Sequence, residues 1–389
     1  MIPYGRQDIR QADIDAVTDV LRSDFLTQGP RVPMFEAQLS TYTGAEHAIA
    51  VNSATSALHI ACIALGLGAG DVLWTSPVTF VASANCALYC GASVDFVDID
   101  TQSYNMCADA LEEKLISAKK SGKLPKIVVP VHLSGQSCDM ERIHALSREY
   151  GFALVEDASH AVGGRYLDQP VGNCRYSDIT VFSFHPVKII TTAEGGMALT
   201  NNAELAQKMR FAASHGITRD PKLMTQTPDG GWYYQQVTLG YNYRMTELQA
   251  GLGISQVARL DEYVAARAAR AERYDTLLES LPLTRPWQSP NTQSAWHLYI
   301  VNIDNDQTAV SRTEVFDALR ADGIGVNVHY IPVHLQPFYR DIGFKRGDFP
   351  RAEKYYAGAI SMPLYPGLSE DGQRLIFASL ERVLGAPSS

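Results

Sequence analysis

Three short runs constrain what this chain can fold into. Ile127-Val128-Val129-Pro130-Val131-His132, Phe152-Ala153-Leu154-Val155 and Ile179-Thr180-Val181-Phe182-Ser183-Phe184 are nearly free of charge, and none exceeds the length of a strand. A strand that is apolar on both sides must be covered on both faces, which is the condition of a parallel sheet. Stretches with helical spacing lie between them, at 139–150 and 203–213. Alternating strand and helix implies an α/β fold: a mostly parallel central sheet with helices on both sides. Trp74-Thr75-Ser76-Pro77 closes another short strand, and Val94-Asp95-Phe96-Val97-Asp98 alternates as a strand does. Residues 10–22 read as an amphipathic helix. Residues 53–67 read as a second, opened by the capping hydroxyls of Asn52-Ser53-Ala54-Thr55-Ser56.

Beyond this core the pattern changes. Residues 216–241, rich in Gly, Pro, Asp and Tyr, predict a long loop, and long loops tend to be functional or to reach a partner. Residues 246–281 predict one long alanine-rich helix. After Pro282 come a strand at 296–301, a helix at 311–322 and a strand at 325–330. The expected organisation is a large α/β domain over residues 1–250 and a smaller α+β domain over 251–389. A chain of 389 residues is long enough for both.

Bulk properties exclude more than they identify. A hydrophobic content of 46% and a charged content of 19% are ordinary for a globular enzyme. The net charge of −9 argues against a nucleic-acid or anionic-membrane partner, though not against a phosphorylated small ligand held by local amides. Met1-Ile2-Pro3-Tyr4-Gly5-Arg6 has no charged-then-apolar leader pattern, and no uncharged stretch is long enough to span a bilayer. The six cysteines are scattered, with no partner set for zinc, so no metal is expected. Free thiols in a cytoplasmic protein are the expectation.

Open α/β sheets bind ligands beyond the carboxyl ends of their strands. One apolar run ends at Asp157, and another leads through Ser183-Phe184-His185-Pro186-Val187 to Lys188. A carboxylate and an amine meeting in that crevice form the pair that pyridoxal phosphate (PLP) chemistry uses. The lysine bonds the cofactor, and the aspartate keeps its pyridine nitrogen protonated. Taken singly, each residue has a plainer reading: a solvated lysine, a helix-capping aspartate. The run Asn52 to Ser56 suits either a phosphate cradle or simple capping. Ser183 could add a hydroxyl to the same phosphate. Phe80, after Thr79, is either a face for a flat ring or a core residue. His160 is either a partner for the cofactor's phenolic oxygen or a structural histidine. Gly66-Leu67-Gly68-Ala69-Gly70 looks like a dinucleotide loop, but it follows a helix and precedes a strand, the wrong order for that turn.

Five segments in order settle the resemblance: Asn52-Ser53-Ala54-Thr55-Ser56-Ala57-Leu58, Glu156-Asp157-Ala158-Ser159-His160-Ala161, Phe182-Ser183-Phe184-His185-Pro186-Val187-Lys188, Glu194-Gly195-Gly196-Met197 and Gly240-Tyr241-Asn242-Tyr243-Arg244-Met245. Over nearly its whole length the chain resembles the DegT/DnrJ/EryC1/StrS family. These are PLP-dependent nucleotide-sugar aminotransferases of the aspartate-aminotransferase fold (PLP fold type I). The resemblance implies that Lys188 bonds PLP, Asp157 pairs with the ring nitrogen and His160 lies beside the phenolic oxygen. It further implies that Ala54, Thr55 and Ser183 hold the phosphate and that Phe80 stacks on the ring. Asn242 would reach the phosphate of a neighbouring subunit in a homodimer with shared active sites.

A narrower likeness is carried by Met1 to Gln7, by Ser23-Asp24-Phe25-Leu26-Thr27-Gln28-Gly29-Pro30 and by Val328-His329-Tyr330-Ile331-Pro332-Val333. It points to the branch that aminates C4 of a UDP-linked 4-keto-6-deoxy-N-acetylhexosamine on the way to pseudaminic acid, with L-glutamate as donor. Tyr4, Asp24, Phe25, Leu26, Thr27, His329 and Tyr330 would then line the sugar site. Rival readings are the same chemistry on another 4-keto sugar nucleotide, a dehydratase, and a non-catalytic binding or regulatory protein. Dehydratase relatives carry histidine where this chain has Lys188. One departure stands out: where the family reads Gly-Glu-Gly-Gly, this chain has Ala193-Glu194-Gly195-Gly196. A positive φ at position 193 would strain alanine by about 1 kcal/mol.

Overall fold

The computed structural model describes residues 1–303 and 308–385. Seven strands form the central sheet: β1 (His47–Val51), β2 (Val72–Thr75), β3 (Ser93–Phe96), β4 (Ile127–Val129), β5 (Ala153–Asp157), β6 (Ile179–Ser183) and β7 (Gly196–Thr200). Their spatial order is β1-β7-β6-β5-β4-β2-β3. The pairs from β3 across to β6 are parallel, whereas β7 runs antiparallel to both β6 and β1. The three apolar runs become β4, β5 and β6, which lie in the middle of the sheet and are almost wholly buried.

After α1 (Gln11–Leu21), helices cover both faces: α2 (Arg31–Thr43), α3 (Ala54–Ala64), α4 (Ala82–Tyr89), α5 (Ala108–Ser121), α6 (Met140–Tyr150) and α7 (Ala203–Ala213). Helix α3 is buried over most of its surface, as its run of Ala, Leu, Ile and Cys requires. Its packing partners are α4, α7 and the strands β6 and β7.

The predicted helix over 246–281 is two helices, α8 (Glu247–Val257) and α9 (Leu260–Leu277). No glycine or proline marks the break. Helix α8 lies against α1 and α2, with Gly251 and Gly253 allowing Val20 and Phe35 to approach. Helix α9 must instead deliver Ala271, Tyr274 and Leu278 to a second apolar core. Arg259 absorbs the change of direction at φ −117°, ψ 13°.

That second core is built on a three-stranded antiparallel sheet of β8 (Leu283–Thr284), β9 (Tyr299–Ile303) and β10 (Ala359–Met362), backed by α10 (Arg312–Ala321) and a C-terminal helix, Glu370–Leu384. The strand predicted at 325–330 is absent. That segment makes only isolated bridges, Ile324 with Ile2 and Asn327 with Ser361. Its partners are divided: Gly325 N–H donates to Ile2 O, beside the bond from Ile2 N–H to Gly323 O, whereas Asn327 exchanges hydrogen bonds with Ser361. The loop at 216–241 contains one two-residue antiparallel pair, Ile217–Thr218 with Gln235–Gln236. No helix among the described residues is long and apolar enough to cross a membrane.

Ala193 has φ 65°, the left-handed conformation for which the family's glycine is suited. Ala193→Gly is expected to raise stability by about 1 kcal/mol, measured by urea unfolding at constant cofactor loading.

Candidate active site

A cavity of about 540 Å³ opens at the carboxyl ends of β5 and β6. Asp157 closes β5, and Ser183 closes β6. The turn after Ser183 folds back so that Lys188 N–H donates to His185 O and Thr192 N–H donates to Phe184 O, which sets the lysine amine on the cavity wall.

The start of α3 forms the opposite end, where the capping reading of Asn52 to Ser56 is seen directly. The polar side chains cap the helix: Ser53 Oγ accepts from Ser56 N–H at 3.1 Å, and Ser56 Oγ donates to Asn52 Oδ1 at 2.7 Å. That leaves the first-turn amides of Ala54 and Thr55, which border the cavity, without an intrahelical acceptor. Capping therefore leaves these two amides available to an anion. Gly196 makes the approach possible, since a Cβ there would lie 2.5 Å from Ala54 N and 2.5 Å from the Ser53 carbonyl carbon.

Phe80 is 58% exposed at the cavity rim, so it is not a core residue; its ring centroid lies 6.3 Å from that of Tyr330. Asp157 is buried, with Oδ2 accepting from Ser83 Oγ at 2.6 Å and Oδ1 from Ser159 N–H at 3.1 Å. His160 is buried too. Its Nδ1 accepts from Ser134 N–H at 3.3 Å, so its proton sits on Nε2, which donates to Tyr330 Oη at 3.1 Å. Burial pushes the imidazolium of His160 well down, and the nearby Lys188 and His329 cations push it further. Burial likewise lowers His329 to about 4, helped by Lys188. His329 Nδ1 shares a proton with Ser361 Oγ at 2.8 Å, and Tyr4 packs 5.6 Å away, ring to ring. The Lys188 side chain is half-buried and borders open cavity space. Burial lowers its amine to about 8, opposed by the Asp157 charge.

Lys188, Asp157, His160, Ala54, Thr55, Phe80, Ser183, Tyr4, His329 and Tyr330 thus meet around one cavity. Asp24, Phe25, Leu26 and Thr27 do not; they are exposed and run past the start of α8, where Glu247 N–H donates to Leu26 O. Asn242 is also exposed and outside the cavity of its own chain, bridged to Ser214. Sequence reasoning missed Ser83, Ser134, Asn327 and, inside motifs it had already quoted, His185 and Glu194. Among the described residues no cluster of three or more His, Cys, Asp or Glu side chains could hold a metal ion.

Residues 7–381 match the DegT/DnrJ/EryC1/StrS aminotransferase family. The chain belongs to that family. It is a PLP-dependent sugar aminotransferase of PLP fold type I. It is 40% identical to the spore coat polysaccharide biosynthesis protein SpsC of Bacillus subtilis, over 95% of this chain and 94% of the relative. It is 37% identical to the UDP-4-amino-4,6-dideoxy-N-acetyl-β-L-altrosamine transaminase of Campylobacter jejuni, over 98% of each chain. Among solved structures it is similar to Helicobacter pylori PseC, an aminotransferase of pseudaminic acid biosynthesis, at TM-score 0.90 and 30% identity over 99% of each chain. The aminotransferase site fits its cofactor. An amine, a buried carboxylate and the free first-turn amides of α3, which only a glycine at position 196 lets approach the sheet, surround a cavity large enough for PLP.

Two outcomes follow from this geometry. Gly196→Ala forces backbone apart at the helix start; it is expected to weaken PLP binding at least about tenfold and to cost about 1–3 kcal/mol of stability, read by PLP titration and urea unfolding. The rate of PLP loading onto apo-enzyme is expected to rise about tenfold per pH unit up to a midpoint near pH 8, then level off, because only the free amine reacts; a midpoint near 10.4, as for an exposed lysine, would contradict a half-buried Lys188.

Proposed function

We propose that this enzyme transfers an amino group from L-glutamate to C4 of a UDP-linked 4-keto-6-deoxy-N-acetylhexosamine, as a cytoplasmic homodimer in pseudaminic acid biosynthesis. The observation that carries the chemistry is the meeting of Lys188, Asp157 and the α3 amides in one cavity. Bound there, the cofactor supplies an electron sink and carries the amino group between donor and acceptor. Lys188 is the covalent anchor and, once released, the general base at the donor's Cα. Lowered to about 8 by burial, its amine titrates close to neutral pH, where a base is most effective. Asp157 keeps the ring nitrogen protonated. The amides of Ala54 and Thr55, with Ser183, take the phosphate at the positive end of α3. His160, held in one tautomer by Ser134, presents a neutral ring beside the phenolic oxygen, and Phe80 covers the ring's face.

The finer assignment rests on two likenesses, 37% identity to the altrosamine transaminase along almost the full chain and a TM-score of 0.90 with PseC. Tyr4, His329 and Tyr330 then form the sugar side of the cavity. In the proposed homodimer Asn242 and Asp24 to Thr27, exposed and outside their own chain's cavity, serve the neighbouring subunit's site; their exposure leaves them free to do so. A second reading is the same chemistry on another 4-keto sugar nucleotide; the relative at 40% identity, SpsC, is named for spore coat polysaccharide biosynthesis and not for pseudaminic acid.

One titration tests both. L-Glutamate is expected to bleach the yellow PLP enzyme, and the correct 4-keto sugar nucleotide, offered from a panel, restores the band. Restoration by a dTDP- or GDP-sugar but not the UDP-sugar would select the second reading. Lys188→Ala is expected to lose turnover entirely while keeping its circular dichroism and oligomeric state; sustained turnover in that variant would refute the chemistry.

A further inference from the structure

Ser83 has no part in the motifs that carry the family resemblance, yet it makes the shortest contact to the cavity's buried carboxylate. It lies on the first turn of α4, is fully buried, and places its Oγ 2.6 Å from Asp157 Oδ2. Thr79, also buried, sits with its hydroxyl 2.8 Å from that of Ser83. A carboxylate can only accept, so Ser83 donates to Asp157, and Thr79 must in turn donate to Ser83. The chain therefore has one direction, Thr79 to Ser83 to Asp157, and such bonds reinforce one another in a dry interior. The second carboxylate oxygen is held independently by the Ser159 amide at 3.1 Å.

A plainer account is that Ser83 only satisfies a buried charge. Two observations argue for more. Thr79 itself lines the cavity, and the residue between Thr79 and α4 that reaches the rim is Phe80. A single stretch, 79–83, thus supplies both the aromatic at the rim and the clamp on the carboxylate. With each oxygen fixed by its own donor, the carboxylate plane is set before any ligand enters, which is how a site avoids reorganising during reaction.

We propose that Ser83, oriented by Thr79, is a positioning residue that holds the Asp157 carboxylate in the orientation required to meet the cofactor's ring nitrogen. The inference rests on the assignment of Asp157 to that nitrogen, so Asp157→Asn accompanies the test. Ser83→Ala, Ser83→Thr and Thr79→Val are prepared as apo-proteins, checked by circular dichroism and titrated with PLP. The visible absorbance of each loaded enzyme is then followed against pH, and kcat and KM are measured.

Ser83→Ala is expected to bind PLP about tenfold more weakly, the loss of one hydrogen bond to a charged group. It should also move the pH midpoint of the visible band and lower kcat without raising KM for the sugar. Ser83→Thr restores all three, because it keeps the hydroxyl, and Thr79→Val shows the same defects in weaker form. Wild-type affinity, pH midpoint and kcat in Ser83→Ala, alongside a defective Asp157→Asn, would overturn the role of Ser83 and leave that of Asp157 standing. A normal Asp157→Asn would instead remove the assignment beneath it. If Ser83→Ala does not fold, Thr79→Val decides: wild-type affinity and spectrum there overturn the proposal.

Discussion

Gly196 pairs with Ser183 on one side and with Val51 on the other, because β7 runs antiparallel between β6 and β1. Those two neighbours are the exits from which the chain goes on to Lys188 and to α3. Inserting β7 between them sets the distance between amine and amide cradle. The missing side chain at Gly196 lets the start of α3 come down onto the strand. The same register carries the Ala193 turn that backs Lys188. A strand slipped by one residue would turn every side chain to the other face and dismantle the cavity.

The electrostatic character of the cavity follows from that enclosure. Lys188, His160 and His329 are basic groups gathered in a small space, and burial lowers all three. The histidines are thereby kept neutral at physiological pH and act as hydrogen-bonding groups, His160 in a defined tautomer. Positive potential for an anion comes instead from the helix start, which has no proton to lose. The buried carboxylate avoids isolation through Ser83 and Ser159. On the opposite side of β5, Glu156 is satisfied separately, by His132 at 2.7 Å, Ser177 at 2.5 Å and Thr180 at 3.1 Å. Adjacent acids on one strand thus serve unrelated networks, as the alternation of a strand requires.

Much of this was legible in the residues. Uninterrupted apolar runs identified β4, β5 and β6, since only strands covered on both faces tolerate them. The ends of β5 and β6 pointed to Asp157 and Lys188. Phe80 and His160 were ambiguous, because ring and core demand the same residue types; exposure removes Phe80 from the core, and hydrogen bonds to Ser134 and Tyr330 fix the ring of His160 at the cavity wall. The break between α8 and α9 could not be read, since no residue there disfavours helix and the turn answers to two separate cores. The absent strand at 325–330 has a similar cause: Gly325 bonds to the N-terminus, more than three hundred residues earlier, while Asn327 pairs with Ser361 of β10, so no single neighbour lines the segment.

By itself, then, the chain's local chemistry determined an α/β fold, the amine and acid at two strand ends, and a helix start able to take an anion. These depend on periodicity and residue type, which act over a few neighbours. Tertiary structure decided what lies across from what. It placed Ser83 beneath Asp157, Ser134 behind His160 and Tyr4 against His329, and it set Asn242 and Asp24 to Thr27 outside their own cavity. Those relations join segments far apart in the chain, and they arise only when the sheet's order and the packing of both cores bring the segments together.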